Sequence, residues 1–408
     1  MKPEYDVHAI RADFPILADT VRGKPLVFLD SAASAQKPRA VIEAVSDFYS
    51  HGYANIHRGV YQLSATATRA FEDSRDAVQK FIGARDRREI IFVRNATEAI
   101  NLVARTWAES HLDAGDEILI TALEHHANIV PWQMLGDRRG TRLRVAPIDE
   151  RGVVVLDAFE ELLGERTRLV AISHVSNALG TVNPVAEMIA MAKQRGITVL
   201  VDGAQAVPHM ALDVAGLGCD FYAFSGHKLF GPTGAGVLYG RLPVLEATPP
   251  FLGGGDMIES VTFEKTTYAP VPARFEAGTP DIAGVIGLRA AIDYLGTIGL
   301  DRIAAWEHEL LDHANDVLGR IEGLRMIGTA PGKAAVVSFV LDGVHAHDVG
   351  TALDQAGVAV RVGHHCAQPV MEIFGVPATV RASLSLYNTK AEIDVLADAI
   401  RETLEIFR

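Results

Sequence analysis

From about Leu26 to Tyr239 the chain alternates short unbroken apolar runs with longer stretches of helical spacing. The runs at residues 89–93, 117–121, 142–148, 169–174, 198–201, 221–224 and 236–239 have strand length. Helical patterns fill the gaps, for example at 97–110 and 185–195. Strands without polar alternation, separated by helices, predict a mostly parallel sheet buried on both faces. The expected fold is therefore α/β, with a large domain whose mostly parallel seven-stranded sheet lies between helices. In such sheets ligands bind in the crevice beyond the carboxyl ends of the strands.

After Gly240 the pattern loosens. Residues 251–280 are rich in Gly and Pro and read as long loops or a hairpin. A long helix is expected at 282–298. A smaller α+β domain follows, with helices at 301–321, 346–355 and 390–407 and strands at 335–341 and 380–386. The expected division is 17–295 for the large domain and 296–408 for the small one, with the N-terminal segment 1–16 joined to the latter.

Composition narrows the class. Of 408 residues, 49% are hydrophobic and 22% charged, as in a globular enzyme rather than a disordered chain. The net charge of −13 argues against a nucleic-acid or anionic-membrane partner. No apolar run reaches membrane-spanning length, and the start, MKPEYDVHAIRADFP, lacks the apolar core of a signal peptide. With only two cysteines, Cys219 and Cys366, a disulfide framework is excluded and a reducing, cytoplasmic setting is expected.

Four strand ends finish in polar or reactive residues: at His126, Asn177, Gln205 and Lys228. Lys228 follows a strand and precedes a Gly- and Pro-rich loop; a pocketed lysine amine sheds its proton at modest cost and forms Schiff bases. Taken alone, a solvated loop lysine is the plainer reading. Asp202, directly after the apolar strand 198–201, changes the odds. It is either a helix cap or the partner of a buried cation such as a pyridinium nitrogen. Asn95-Ala96-Thr97-Glu98 opens an apolar helix. Asn95 or Thr97 can cap it, and the free N–H groups there can cradle a phosphate. His125 is able to stack on a planar ring and to transfer protons. His125 and His126 make a poor metal pair, since neighbouring side chains on extended chain point to opposite faces. Cys366, in Arg361-Val362-Gly363-His364-His365-Cys366, has imidazoles and a guanidinium nearby that favour the thiolate, whereas Cys219 sits in apolar sequence and reads as inert. A zinc site on His364, His365 and Cys366 is the rival, weakened by the absence of a second cysteine cluster. Arg381 is either a surface strand residue or a grip for a substrate carboxylate. Gly253-Gly254-Gly255 lacks the Gly-Lys-Ser/Thr ending of a P-loop, and His345 and His347 read as cap or solvated residues.

Asp202-Gly203-Ala204-Gln205, Ser225-Gly226-His227-Lys228 and Arg361-Val362-Gly363-His364-His365-Cys366-Ala367 together resemble the group II, SufS-type cysteine desulfurases. These are fold-type I pyridoxal phosphate enzymes of the class-V aminotransferase-like family. The likeness runs from Leu29-Asp30-Ser31 through Asn55-Ile56-His57-Arg58-Gly59 to Arg381. It implies that Lys228 carries the cofactor, Asp202 partners its ring nitrogen and His125 stacks on the ring. It also implies that Gln205 and Asn177 bond near the ring oxygen or substrate, and that Thr97, Ser225 and His227 hold the phosphate. Thr279 would reach the phosphate of a neighbouring subunit in a homodimer. Arg381, with Asn177 and Arg361 near it, would bind the cysteine carboxylate. Lys228 would remove the α-proton, Cys366 would take the sulfur as a persulfide, and His125 would serve as acid while alanine leaves. A SufE- or SufU-type acceptor for iron–sulfur cluster assembly is implied as partner. Two departures stand out: Ala96 where relatives often have threonine, implying one phosphate contact fewer, and Tyr61 where they often have histidine. Selenocysteine lyase, which uses the same constellation without necessarily requiring Cys366, is the near alternative; a zinc-binding non-enzymatic protein is the distant one.

Overall fold

In the computed structural model, which describes residues 5–407, seven strands form the central sheet. They are β1 (Ile90–Val93), β2 (Glu117–Thr121), β3 (Arg142–Ala146), β4 (Thr167–Ser173), β5 (Thr198–Asp202), β6 (Phe221–Ser225) and β7 (Gly236–Gly240). Their spatial order is β1-β7-β6-β5-β4-β2-β3. The pairs from β6 to β3 are parallel, while β7 is antiparallel to both β6 and β1. The sheet is thus mostly parallel, as expected, with one reversed strand. Its cause is the short connection 226–235, which is too brief for the crossover that a parallel neighbour requires.

The strands are apolar on both faces, and period-two alternation sends successive residues to different cores. Ile90 and Phe92 pack on one side and Ile91 on the other; Val199 and Val201 likewise oppose Leu200. The helix expected at 97–110 is not continuous. An α-helix runs Ala96–Val103, a π-turn Ala104–Ala108 follows, and Glu109–His111 closes the element. The Thr106 hydroxyl donates back to Leu102 O at 2.6 Å and that of Ser110 to Thr106 O at 2.8 Å, which loosens the helical ladder there. Within 251–280 the chain makes a hairpin of β8 (Ile258–Val261) and β9 (Thr266–Tyr268).

A second, antiparallel sheet has the order β10-β11-β13-β12. Its strands are β10 (Leu324–Ile327), β11 (Val336–Leu341), β12 (Arg361–Gly363) and β13 (Thr379–Ser383). Helices Leu300–Leu318, Ala346–Gln355 and Lys390–Phe407 cover it around a core that includes Leu310, Phe339, Val380 and Ile400. Val27–Phe28 pairs in parallel with Val358–Ala359 as a separate two-stranded sheet, and Asp30 bridges to Ser383 on β13, so the segment 27–30 is held against the small unit. Residues 1–4 of the N-terminal segment lie outside the described residues. Beyond them Tyr5 donates to Leu386 O at 2.8 Å and stacks on Trp306, and Arg11 pairs with Glu392 at 2.9 Å. No single helix among the described residues is long and apolar enough to cross a membrane.

Candidate active site

The carboxyl ends of β2, β4, β5 and β6 lie at one edge of the sheet. Ser173 pairs with Asp202 and Asp202 with Ala223, which keeps these ends level. One cavity of about 180 Å³ opens there. At roughly 30 Å³ per water, that is space for a small molecule rather than a polymer. Its walls carry Thr97, His125, Asn177, Asp202, Gln205, Ser225, His227 and Lys228 from the large unit, and Arg361, Cys366 and Arg381 from the small one. Two glycines permit the close approach. A Cβ on Gly203 would stand 1.9 Å from the Tyr222 ring, and one on Gly236 2.6 Å from Asn95 Cα.

At the centre Lys228 makes no hydrogen bond or ion pair with any described residue, and burial pushes its amine down to about 8. Asp202 is buried at the end of β5. Its Oδ1 accepts the Ala204 N–H at 3.0 Å, and burial pushes its carboxyl up. A carboxylate so placed is suited to a cationic ring N–H. Beside them the His125 Nδ1 accepts the Ala127 N–H at 3.0 Å. That bond places the ring proton on Nε2, and burial, reinforced by Lys228, pushes the imidazole down to about 3. His125 is therefore a neutral ring with one N–H to give.

At one end of the cavity the helix Ala96–Val103 begins. Asn95, not Thr97, caps it by accepting the Glu98 N–H at 2.9 Å, and the Glu98 carboxylate turns back to Arg94. The Ala96 N–H goes to Ser225 Oγ at 2.9 Å, so the Ser225 hydroxyl proton remains to be given elsewhere. The Thr97 N–H and hydroxyl have no acceptor among the described residues. With His227 adjacent, these donors at a helix N-terminus fit a phosphate. Ala96 brings no hydroxyl, and its N–H is already engaged by Ser225 Oγ. The residues present thus fit a phosphorylated pyridine aldehyde: a cradle for the phosphate, an acid for the ring nitrogen, an unpaired amine for the aldehyde.

The opposite wall belongs to the small unit. Arg361 on β12 lies directly across from Arg381 on β13, a like-charge pair that is unfavourable unless anions join it. Arg381, 1% exposed, donates to Asn177 O at 2.8 Å and to Asp30 Oδ1 at 2.9 Å. Arg361 reaches Cys366 Sγ at 3.7 Å. His365 and Cys366 both hold positive φ, 53° and 54°, in the left-handed region that side chains disfavour, at about 1–3 kcal/mol apiece. Their loop is pinned for it: Cys366 O accepts from His126 N–H at 2.7 Å, His365 O from Asn177 Nδ2 at 2.5 Å, and the His365 ring meets Thr379 Oγ1 at 2.8 Å.

Eleven expected site residues thus share one cavity, and Thr279 does not. It lies on the surface near Arg94, Glu98 and Phe251. Gln205 Nε2 is engaged by Ala32 O at 2.7 Å and Asn177 Nδ2 by the His365 carbonyl, leaving each side chain its oxygen and one N–H for a ligand. Tyr61 is exposed and precedes the helix Gln62–Phe81. His345 caps the helix Ala346–Gln355, accepting the His347 N–H. The zinc alternative finds no geometry: His365 turns inward to Thr379 while His364 is exposed, and among the described residues no three His, Cys, Asp or Glu side chains converge. Sequence reasoning missed two residues of the site. Asp30 holds Arg381 from 351 residues away, and Glu124, inside the polar run after β2, is buried behind His125. The first had no local signal; the second had the same strand-end position that singled out His125.

The profile of the family described as Aminotransferase class-V matches residues 27–396. A cysteine desulfurase of Synechococcus elongatus is 55% identical over 397 residues, which are 97% of this chain and 63% of that protein. One from Cronobacter sakazakii is 54% identical over 393 residues, covering 96% of this chain and 97% of the relative. The chain therefore spans less than two thirds of the Synechococcus protein and nearly all of the Cronobacter one. Among solved structures, the cysteine desulfurase CsdA from Escherichia coli, in an S-sulfonic acid form, aligns over the whole of both chains with a TM-score of 0.93 at 40% identity.

Proposed function

This chain belongs to the class-V aminotransferase family, and from that premise we propose that it is a pyridoxal phosphate-dependent cysteine desulfurase. It takes L-cysteine, releases L-alanine and leaves the sulfur on Cys366. The observation that supports this most directly is the joint presence, in one cavity, of the unpaired Lys228 amine, the buried Asp202 and a small-unit wall bearing Arg361, Arg381 and Cys366. We take 17–295 as the cofactor unit and 296–408 as the unit that brings Cys366, with the N-terminal segment attached to it through Tyr5 and Arg11.

Thr97, Ser225 and His227 would hold the phosphate, Asp202 the ring nitrogen, His125 the ring face and Lys228 the aldehyde carbon. Bound there, pyridoxal phosphate supplies an electron sink for the α-proton's removal and for the breaking of the carbon–sulfur bond. Arg381 binds the substrate carboxylate through the donors that Asp30 and Asn177 O leave free. Lys228 Nζ takes the α-proton; burial lowers its amine to about 8, so the uncharged form that can act as base is far more accessible near neutral pH than for an ordinary lysine. Cys366 Sγ, within reach of the Arg361 guanidinium at 3.7 Å, is the nucleophile toward the substrate sulfur. His125 Nε2 is the proton donor to the departing carbon skeleton. Gln205 and Asn177 position the Ala32 segment and the Cys366 loop, with their second amide hydrogens available to the ligand.

The persulfide then passes to a protein acceptor, of SufE or SufU type by resemblance. Thr279, exposed and outside its own cavity, is assigned to the phosphate of the second subunit of a homodimer. Few thiols and an acidic charge suit a cytoplasmic location.

Two expected outcomes test the binding roles. Arg381→Lys removes the planar fork, and hydrogen bonds to charged groups are worth about 1.5–3 kcal/mol. The KM for cysteine should rise about 10- to 100-fold, read as alanine release against cysteine concentration; an unchanged KM removes Arg381 from carboxylate binding. The second concerns pH. An aldehyde reacts with the uncharged amine, and burial lowers Lys228 to about 8. Uptake of pyridoxal phosphate by the cofactor-free chain, followed by absorbance, should accelerate with rising pH through a midpoint near 8. A midpoint above 10, that of an ordinary lysine, would contradict the assignment.

A further inference from the structure

Glu124 is fully buried and has no cationic partner among the described residues. Its oxygens are nonetheless saturated. Oε1 accepts the Thr121 hydroxyl at 2.6 Å and the Ser173 N–H at 3.0 Å; Oε2 accepts the Ser173 hydroxyl at 2.5 Å and Asn128 Nδ2 at 2.7 Å. Asn128 is itself oriented, because its Oδ1 accepts the Trp132 Nε1–H at 3.0 Å. One carboxylate thereby ties together the end of β2, the end of β4, the turn His126–Asn128 and the helix Val130–Arg139. Burying an anion without a cation is costly, and packing alone would be served by an apolar side chain. Burial pushes this carboxyl up to about 7, the donors pulling the other way.

What lies between the tied points is His125. Glu124 precedes it, and Asn128 closes the same turn by donating its N–H to His125 O at 2.8 Å. The ring is set from within the turn by the Ala127 N–H on Nδ1. Ser173, the third tied point, sits across from Asp202 in register and lines the same cavity. We infer that Glu124 is a positioning residue for the desulfurase reaction: its carboxylate clamps the turn from Thr121 to Asn128 against Ser173 and so fixes where His125 Nε2 points. The inference rests on the reading of His125 as proton donor.

Glu124→Gln tests it in the holoenzyme. The new amide would face the Asn128 amide, donor against donor, and Asn128 cannot flip without losing the Trp132 N–H. Alanine formation should show kcat lowered about 10- to 100-fold, the scale of a misplaced catalytic group, with KM within about threefold and full cofactor content. Adding Asn128→Asp restores the match of donors to acceptors: the amide introduced at position 124 donates to one oxygen of the carboxylate introduced at position 128 and, by its second hydrogen, to Ser173 Oγ, while the other carboxylate oxygen keeps Trp132. That double variant should recover kcat to within about threefold of the parent. His125→Ala, measured alongside, separates the two ideas. If it lowers kcat while Glu124→Gln does not, the positioning role is overturned and His125 keeps its part. If His125→Ala leaves kcat unchanged, the reading of His125 itself fails. A lower melting temperature with parental kcat would make Glu124 a residue of the fold only. Should Glu124→Gln fail to fold, the double variant decides alone: parental kcat supports the role, and a folded, cofactor-loaded but slow enzyme overturns it.

Discussion

Cys366→Ala is expected to lower alanine release from L-cysteine roughly 10³-fold or more, the scale on which losing a covalent nucleophile acts. The fold should survive the change. The hydrogen bonds that pin the loop come from the Cys366 carbonyl, the His365 carbonyl and the His365 ring, not from the thiol. What disappears is the sulfur atom 3.7 Å from the Arg361 guanidinium. The chain's other thiol offers no substitute. Cys219 is 1% exposed, packed in the core of the large unit, and burial pushes its thiol up to about 12, where it is protonated and unreactive. Mass spectrometry after alkylation should find the added sulfur on Cys366 in the parent protein and on no cysteine in the variant. Undiminished turnover would remove Cys366 from its role. The same variant assayed with L-selenocysteine addresses the lyase alternative, for which parental selenocysteine turnover would be the sign.

Lys228→Ala should abolish turnover, by about 10⁴-fold or more, because one amine is asked both to hold the cofactor and to move the α-proton. Stability should move the other way. Lys228 is a half-buried amine with no hydrogen bond to a described residue, so its removal deletes a partly desolvated cation and breaks no network. The cofactor-free variant should melt at the temperature of the cofactor-free parent or above it. Borohydride treatment of the loaded parent should place the reduced cofactor on the peptide containing Lys228. Label on a different lysine, Lys37 for instance, which burial also lowers to about 8, would sink the assignment.

Much of the architecture was legible because buried parallel strands carry their signal locally: a short apolar run, then a polar end. β2 matched its expected bounds, and Ile282–Ile298, Ala346–Gln355 and Lys390–Phe407 did likewise among the helices. The reversal of β7 was not legible, since an apolar run reads the same in either direction and only the length of its connection hints at the pairing. β10 went unseen because Leu324–Ile327 is short and half-exposed, held by its register with β11 rather than by its own pattern. The π-turn in the expected helix at 97–110 arises from hydroxyls of Thr106 and Ser110 that bond backward, a choice sequence spacing does not display.

By itself, then, the sequence determined which residue types stand at strand ends: Asp202, Ser225, Lys228 and His125, together with the Cys366 motif that carried the resemblance. Those are properties of local strings, set by a side chain's position within one element. Only the tertiary structure decided which strings meet. It set Arg361 opposite Arg381, brought Asp30 to Arg381 across 351 residues, put Thr279 outside the cavity and placed Glu124 between Thr121, Ser173 and Asn128. Hydrogen bonds of this kind act over about 3 Å between residues far apart in the chain, and no local pattern encodes such a distance.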